Sequence, residues 1–304
     1  MFEFTLNLSN MKSTKGLFMI LVLLGTLFSA NGQTSTKNNK LLGVITKADL
    51  LSGTYRDWFA PQFNAYKVDT TIATKLLEPI KEFEIVVFLG TWCGDSRKEV
   101  PQFYKLLEHL NYPMQKLKVV AVDNEKENYK KSPSGEEKGL NIHRVPTFIF
   151  YKNGKEVNRI VEHPKISFEA DMHQIISSNS YEPNYSNSAL LLGILQDKGI
   201  NYIKNSDELI NQIAPNVKNE REFNGLGYVF LNGKEYDNAI AIFTLNNKLF
   251  PTSLNTFDSL AEAYELAGNI PLALKNYKLA LGVIEKNPMF IRLKEKINLL
   301  EKEE

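Results

Sequence analysis

Five pairs of residues stand 34 positions apart toward the end of this chain: Leu226 with Leu260, Gly227 with Ala261, Phe230 with Tyr264, Ala239 with Ala273 and Phe243 with Tyr277. A fixed period of that length constrains the fold more than any other feature, because each copy must be one supersecondary unit that buries its apolar face against the next. Small residues sit where two helices would cross closely, and aromatic residues fill the space between them. Pro251 closes the first copy. The second has Glu285 at that place and Pro288 three residues later, which predicts a shifted last turn. Such arrays need about three units to be stable, so residues 187–213 and 290–304 are expected to supply flanking helices.

The full length of 304 residues suits about two domains. With 43% hydrophobic and 23% charged residues the chain can bury substantial cores, and it is not disordered overall. Lys and Arg number 36 against 35 acidic residues, a formal charge of +1, so the basic footprint of nucleic-acid binding is missing and no such partner is expected. The single cysteine, Cys93, excludes an intramolecular disulfide and Cys-pair zinc sites. His109, His163 and His173 follow no metal-ligand spacing, and neither a metal nor a cofactor is expected.

One apolar run, residues 17–30, follows Lys12 and Lys15 and ends at Ala30-Asn31-Gly32. Its 14 residues fall short of the roughly 20 that a spanning helix needs. Ala30 and Gly32 supply the small residues of a cleavage site, so residues 1–32 are expected to be a signal peptide. An uncleaved membrane anchor is the alternative, and Met11 is a second candidate start. No cysteine follows the run, which excludes a lipoprotein anchor. The expected location is therefore outside the cytoplasm, in the periplasm or cell envelope, away from the glutathione buffer that keeps thiols reduced.

Residues 33–46 read as a spacer. Between 47 and 178, helical patterns alternate with short strand-like runs at 85–89, 117–122, 147–151 and 156–161, which is α/β grammar. Asn153-Gly154 between the last two is a strong hairpin signal, so these strands are expected to be antiparallel neighbours. Residues 179–188, rich in Ser, Asn, Tyr and Pro, are expected to be a linker. Beyond them, 189–304 carry helical patterns only and predict an all-α domain.

The run 85–89 leads into Gly90-Thr91-Trp92-Cys93-Gly94-Asp95-Ser96 and then into a helical pattern through Leu110, which puts Cys93 at a helix N-terminus. With Val145-Pro146-Thr147 before one strand and the Asn153-Gly154 hairpin after it, this order resembles the thioredoxin family over 47–178. The 34-residue period resembles the tetratricopeptide repeat, and residues 255–264 resemble repeats appended to exported hydrolases of Bacteroidota. The fold class expected is thus an α/β thioredoxin-like domain followed by an all-α tetratricopeptide-like helical repeat domain. The thioredoxin resemblance implies a nucleophile at the first cysteine of a Trp-Cys-x-x-Cys motif, matched by Cys93, and a cis-proline beside it, matched by Pro146. Trp92, Gly94, Asp95, Ser96 and Val145 complete the expected site, with Trp92 shielding the thiol and the Val145 backbone free to pair with an extended substrate.

Three departures from the family matter. Ser96 replaces the resolving cysteine, Asp95 stands where thioredoxin has proline, and Val87 replaces the buried acid on the preceding strand. A mixed disulfide on Cys93 then has no internal thiol to release it, and an outside thiol must attack. Thr91 lies two residues before Cys93 rather than three, which fails a peroxidase-type motif.

The thiolate is the nucleophile, and two effects on it compete. A helix N-terminus favours negative charge by about 0.3–1 kcal/mol, while Asp95, at roughly 6 Å and an effective dielectric of about 40–80, costs ~0.7–1.4 kcal/mol. Mild activation is predicted. A Ser96 hydroxyl aimed at the sulfur would add a hydrogen bond to the thiolate. His143 and Arg144 would lower the thiol pKa if they approached as cations and are otherwise solvated loop. The alternative for Cys93 is a buried, inert thiol.

The function expected is that of an exported single-cysteine thioredoxin-like thiol-disulfide protein. Its partners are disulfide- or thiol-bearing exported proteins and an external thiol reductant, with a peptide or protein at the repeat surface. The alternatives are a non-catalytic module that binds protein through the same groove and repeats, and a homodimer linked through Cys93.

Overall fold

In the computed structural model, which describes residues 35–37, 40–178, 180–282 and 289–302, six strands form one sheet. They are β1 (Ser35–Lys37), β2 (Lys40–Ile45), β3 (Glu84–Leu89), β4 (Leu117–Ala121), β5 (Thr147–Lys152) and β6 (Lys155–Val161), in the order β1-β2-β4-β3-β5-β6. The expected signal segment 1–32, Glu285 and Pro288 lie outside the described residues. β3 and β4 run parallel and the other neighbours antiparallel, with Val87 opposite both Val119 and Phe148. β3 reads as an apolar run because both of its faces are covered: Ile85, Val87, Phe88 and Leu89 are all buried. The last two strands are joined as expected, Asn153 and Gly154 taking φ of 52° and 73°, the left-handed pair that a two-residue hairpin turn requires.

The stretch 33–46, expected to be a spacer, instead carries β1 and β2. Val44 pairs with Val120, and Leu41, Leu42 and Ile45 are buried. Lys40 disguises this strand, because its ammonium is neutralised by Asp123 Oδ1 at 2.7 Å and Glu125 Oε1 at 2.9 Å rather than by solvent. Burial opposes the Lys40 charge, yet these carboxylates outweigh it and hold the ammonium above the ordinary lysine range.

Helices α1 (Lys47–Leu50), α2 (Arg56–Ala65), α3 (Thr70–Ala73), α4 (Gly94–His109) and α5 (Phe168–Ser177) complete this half. The α4 ring of Phe103 lies between Phe148 of β5 and Phe168 of α5, at centroid distances of 4.6 and 5.2 Å. Full burial of such rings contributes about 1.5–3 kcal/mol each. This packing anchors α4, and so the position of its first turn.

The remaining elements are helical: α6 (Ser186–Lys198), α7 (Ile200–Asn205), α8 (Asp207–Ile213), α9 (Arg221–Asn232), α10 (Tyr236–Leu249), α11 (Leu254–Leu266), α12 (Ile270–Gly282) and α13 (Met289–Leu300). The two 34-residue copies are the pairs α9/α10 and α11/α12. Gly227 is small for a steric reason: a Cβ there would lie 2.3 Å from the Phe243 ring of α10. Its counterpart Ala261 is buried, as are Ala239 and Ala273. The segment 179–188, expected to be a linker, is packed rather than free. Tyr181 is buried and donates to Asp171 Oδ2 at 2.8 Å, α6 begins within the segment, and the Ser188 amide donates to Glu222 Oε1 at 3.0 Å. Among its described residues Asn184, Ser186 and Ser188 also hydrogen-bond within the fold, a distinction composition does not carry.

Candidate functional site

β3 ends at Leu89, the chain turns through Gly90-Thr91-Trp92, and Cys93 caps α4 with extended backbone, φ −88° and ψ 129°. The Cys93 amide donates to the Gly90 carbonyl at 2.9 Å, and the Cys93 carbonyl accepts the first helical bond from Arg97 at 3.1 Å. The side chain is half-buried. Its S–H donates to the Val145 carbonyl at 3.2 Å, and the Val145–Pro146 peptide is cis. Cys93, Val145 and Pro146 are therefore brought together.

Trp92 lies against an apolar patch formed by Phe88, Val120, Val122, Ile142, Val145 and Ile149, and its Nε1–H donates to the Val122 carbonyl at 2.9 Å. Gly90 makes room for the ring, since a Cβ on it would come within 2.5 Å of the indole. Gly94 and Asp95 are exposed in the first turn of α4. Ser96 corrects an expectation. It is fully buried, and its Oγ accepts the Gly90 amide at 3.2 Å, so it supports the turn beneath the thiol and makes no bond to the sulfur.

His143 and Arg144 part company. His143 is neither solvated nor cationic: it is buried, with Nδ1 3.1 Å from the Asn141 carbonyl and Nε2 unpartnered. Burial pushes its pKa down to about 3, helped by the positive charges of Lys130, Arg144 and Arg159 against the Asn141 hydrogen bond. Arg144 turns away toward the helical half. Its guanidinium stacks 4.6 Å from the Tyr185 ring centre, pairs with Glu162 Oε1 at 3.4 Å and donates to the Arg221 carbonyl at the start of α9. Gly225 admits it, since a Cβ there would lie 3.0 Å from Arg144 Nε.

Sequence reasoning missed Lys130 and Tyr129. Lys130 sits in the loop after β4 with a left-handed backbone, φ 56°, its amide donating to the Asp123 carbonyl at 2.8 Å. Only 5% of it is exposed, unusual for a lysine outside an ion pair. Its Nζ rests 3.9 Å from the Tyr129 ring centre, and that ring lies 6.4 Å from Trp92. Burial pushes the Lys130 pKa down to about 7, aided by Arg144, while the negative charges of Cys93 and Glu162 pull it back up. Burial also raises the Tyr129 hydroxyl above its ordinary range. A lysine in a polar loop gives no sequence signal for this; the left-handed turn and the aromatic stack become visible only in three dimensions.

Residues 63–174 match the thioredoxin family model. Two curated relatives are similar. Thioredoxin Y, chloroplastic, from Oryza sativa subsp. japonica is 35% identical over 85 residues, covering 28% of this chain and 45% of that protein. TPR repeat-containing thioredoxin TDX from Arabidopsis thaliana is 32% identical over 105 residues, covering 34% of this chain and 25% of that protein. This chain therefore spans less than half the length of either relative. No solved structure matches it at a significant level. Residues 63–174 thus form a thioredoxin domain, and the helices that follow it are consistent with tetratricopeptide-like repeats.

Proposed function

We propose that the chain is an exported thiol-disulfide protein that works with one cysteine. The observation that carries this reading is the half-buried Cys93 at the cap of α4, facing the cis-proline loop, with a fully buried serine where a resolving thiol would sit. The Cys93 thiolate attacks one sulfur of a substrate disulfide. A bond from Cys93 to that sulfur forms, the substrate S–S bond breaks, and the expelled thiolate takes up a proton. An external thiol then attacks the substrate sulfur of the mixed disulfide and returns Cys93 as a thiolate. Residues 1–32 direct the chain out of the cytoplasm, where its partners are disulfide- or thiol-bearing proteins.

The test is capture. Incubated with an aromatic disulfide, the protein is expected to release the aromatic thiol in proportion to chain and to hold the other half covalently until an external thiol is added, whereas Cys93→Ala releases none. Equal release from both would sink the reading. A second reading, a non-catalytic protein-binding module, is favoured by a groove of about 430 Å³ in the helical half, lined by Lys204, Asp237, Thr244, Tyr264 and Asn269. It wins if Cys93→Ala retains the same partners without a covalent bond. A Cys93-linked homodimer would run at twice the mass without reductant.

A further inference from the structure

Capture of a substrate sulfur by Cys93, as proposed above, needs an edge for the rest of the substrate chain to lie against. Residues 144–146 form that edge, and three bonds hold their backbone. The Arg144 carbonyl accepts the Thr147 hydroxyl at 2.7 Å, the Val145 carbonyl accepts the Cys93 S–H at 3.2 Å, and the Pro146 carbonyl accepts the Glu162 amide at 2.7 Å. Side chains close the same circuit. Glu162 Oε1 pairs with the Arg144 guanidinium at 3.4 Å, Glu162 Oε2 accepts the Tyr185 hydroxyl, and the Tyr185 ring centre lies 4.6 Å from the guanidinium. The remaining side of the guanidinium belongs to α9: it donates to the Arg221 carbonyl, and Gly225 leaves it room. Only 19% of the Arg144 side chain is exposed. α9 is fastened in turn to the start of α6, where Glu222 Oε1 accepts the Ser188 amide at 3.0 Å.

We propose that Arg144 is a positioning residue for substrate: held by α9, its guanidinium fixes the 144–146 backbone as the edge on which a polypeptide disulfide docks, so the helical half sets how tightly such substrates are held at Cys93. This inference rests on the reading of Cys93 given above. An arginine fork pinned by a carboxylate, a ring and a carbonyl has already lost its rotamer freedom on folding. It therefore holds the loop in place before substrate arrives, and no further ordering cost falls on binding. A small disulfide touches only the sulfur, whereas an extended polypeptide also pairs with the backbone edge. Arg144 thus favours polypeptide substrates, and it does so from a contact that the thioredoxin domain cannot make without α9.

The experiment follows single-turnover capture, by the full chain, of a short unstructured peptide whose central cysteine carries an aromatic thiol through a disulfide. The Cys93 thiolate bonds to the peptide sulfur, the aromatic thiolate leaves, and its absorbance gives the rate against peptide concentration. Arg144→Met is expected to raise the half-saturating concentration about five- to tenfold, the worth of one backbone hydrogen bond to the peptide, and to change it more than the limiting rate. Gly225→Leu, a change confined to α9, should reproduce that shift by pushing the guanidinium aside, and should leave iodoacetamide alkylation of Cys93 within about twofold of wild type. The double variant should match Arg144→Met alone, because the leucine acts through the guanidinium. Gly225→Ala, whose methyl would meet Arg144 Nε at 3.0 Å, stands in if the leucine chain does not fold. An unshifted half-saturation in Arg144→Met, or additive effects in the double variant, overturns the proposal. If wild type releases no aromatic thiol, the function proposed above fails instead. The same peptide with its cysteine methylated then measures docking by its dissociation constant, and a value equal in wild type and Arg144→Met, or no binding at all, overturns the positioning role as well.

Discussion

Replacing Gly90 by alanine strikes the thiol site through a single added methyl. The new Cβ would stand 2.5 Å from Trp92 Cε2 and 2.8 Å from Nε1, too close for the indole to stay. The backbone cannot yield easily, because the Gly90 carbonyl accepts the Cys93 amide at 2.9 Å and the Gly90 amide donates to the buried Ser96 Oγ at 3.2 Å. The ring must therefore rotate and give up its bond to the Val122 carbonyl. Losing that bond costs about 0.5–1.5 kcal/mol, and overpacking adds about 1–3 kcal/mol, so Gly90→Ala is expected to destabilise by about 2–4 kcal/mol. For a chain of this size that lowers Tm by roughly 4–16 °C. Urea unfolding of Gly90→Ala, Trp92→Ala and the double variant isolates the cause. With the indole gone, the added methyl should cost less than about 0.5 kcal/mol. An equal cost in both backgrounds would refute the steric argument and point to the backbone of the turn.

Two further outcomes follow from the same geometry. Ser96→Cys puts a thiol at the buried position one helical turn from Cys93, and the lifetime of a mixed disulfide, measured without external thiol, should shorten on the order of a hundredfold because the attack becomes intramolecular; an unchanged lifetime would show that the buried position cannot reach the sulfur. His143 stays neutral in the fold down to about pH 3, whereas the unfolded side chain protonates near pH ~6.5. The native state therefore binds fewer protons below that pH, so stability is intact above about 6.5 and falls by about 1.4 kcal/mol per unit as pH drops toward 4. His143→Leu should flatten this slope in urea titrations at pH 6, 5 and 4, and an unaltered slope would assign it to other groups.

The parts legible in the sequence are those governed by neighbours along the chain. The apolar run of β3, the Asn153-Gly154 turn and the cap position of Cys93 follow from local periodicity and backbone preference. The 34-residue offset was legible because Gly227 and Phe243 must fit each other, and that fit recurs in Ala261 and Tyr277. The parts that stayed hidden depend on partners far away in sequence. Lys40 looked like spacer because Asp123, its partner, lies beyond two intervening strands. His143 and Arg144 are adjacent yet meet opposite fates, one sealed in and the other drawn to α9. Lys130 looks like its neighbour Lys131 until the chain turns left-handed and folds it beneath a ring.

Arg144 leaves the thiol loop through its backbone and enters the helical half through its side chain. The Thr147 hydroxyl ties down its carbonyl at 2.7 Å, and Arg221 receives its guanidinium. Anyone transplanting the sulfur-bearing half as a portable cassette would strand that guanidinium at a cut edge, so the graft has to include α9 with its glycine at 225. Mutational drift is tethered in the same way: a bulkier residue at position 225 would be felt at Arg144, two residues before the proline that faces Cys93.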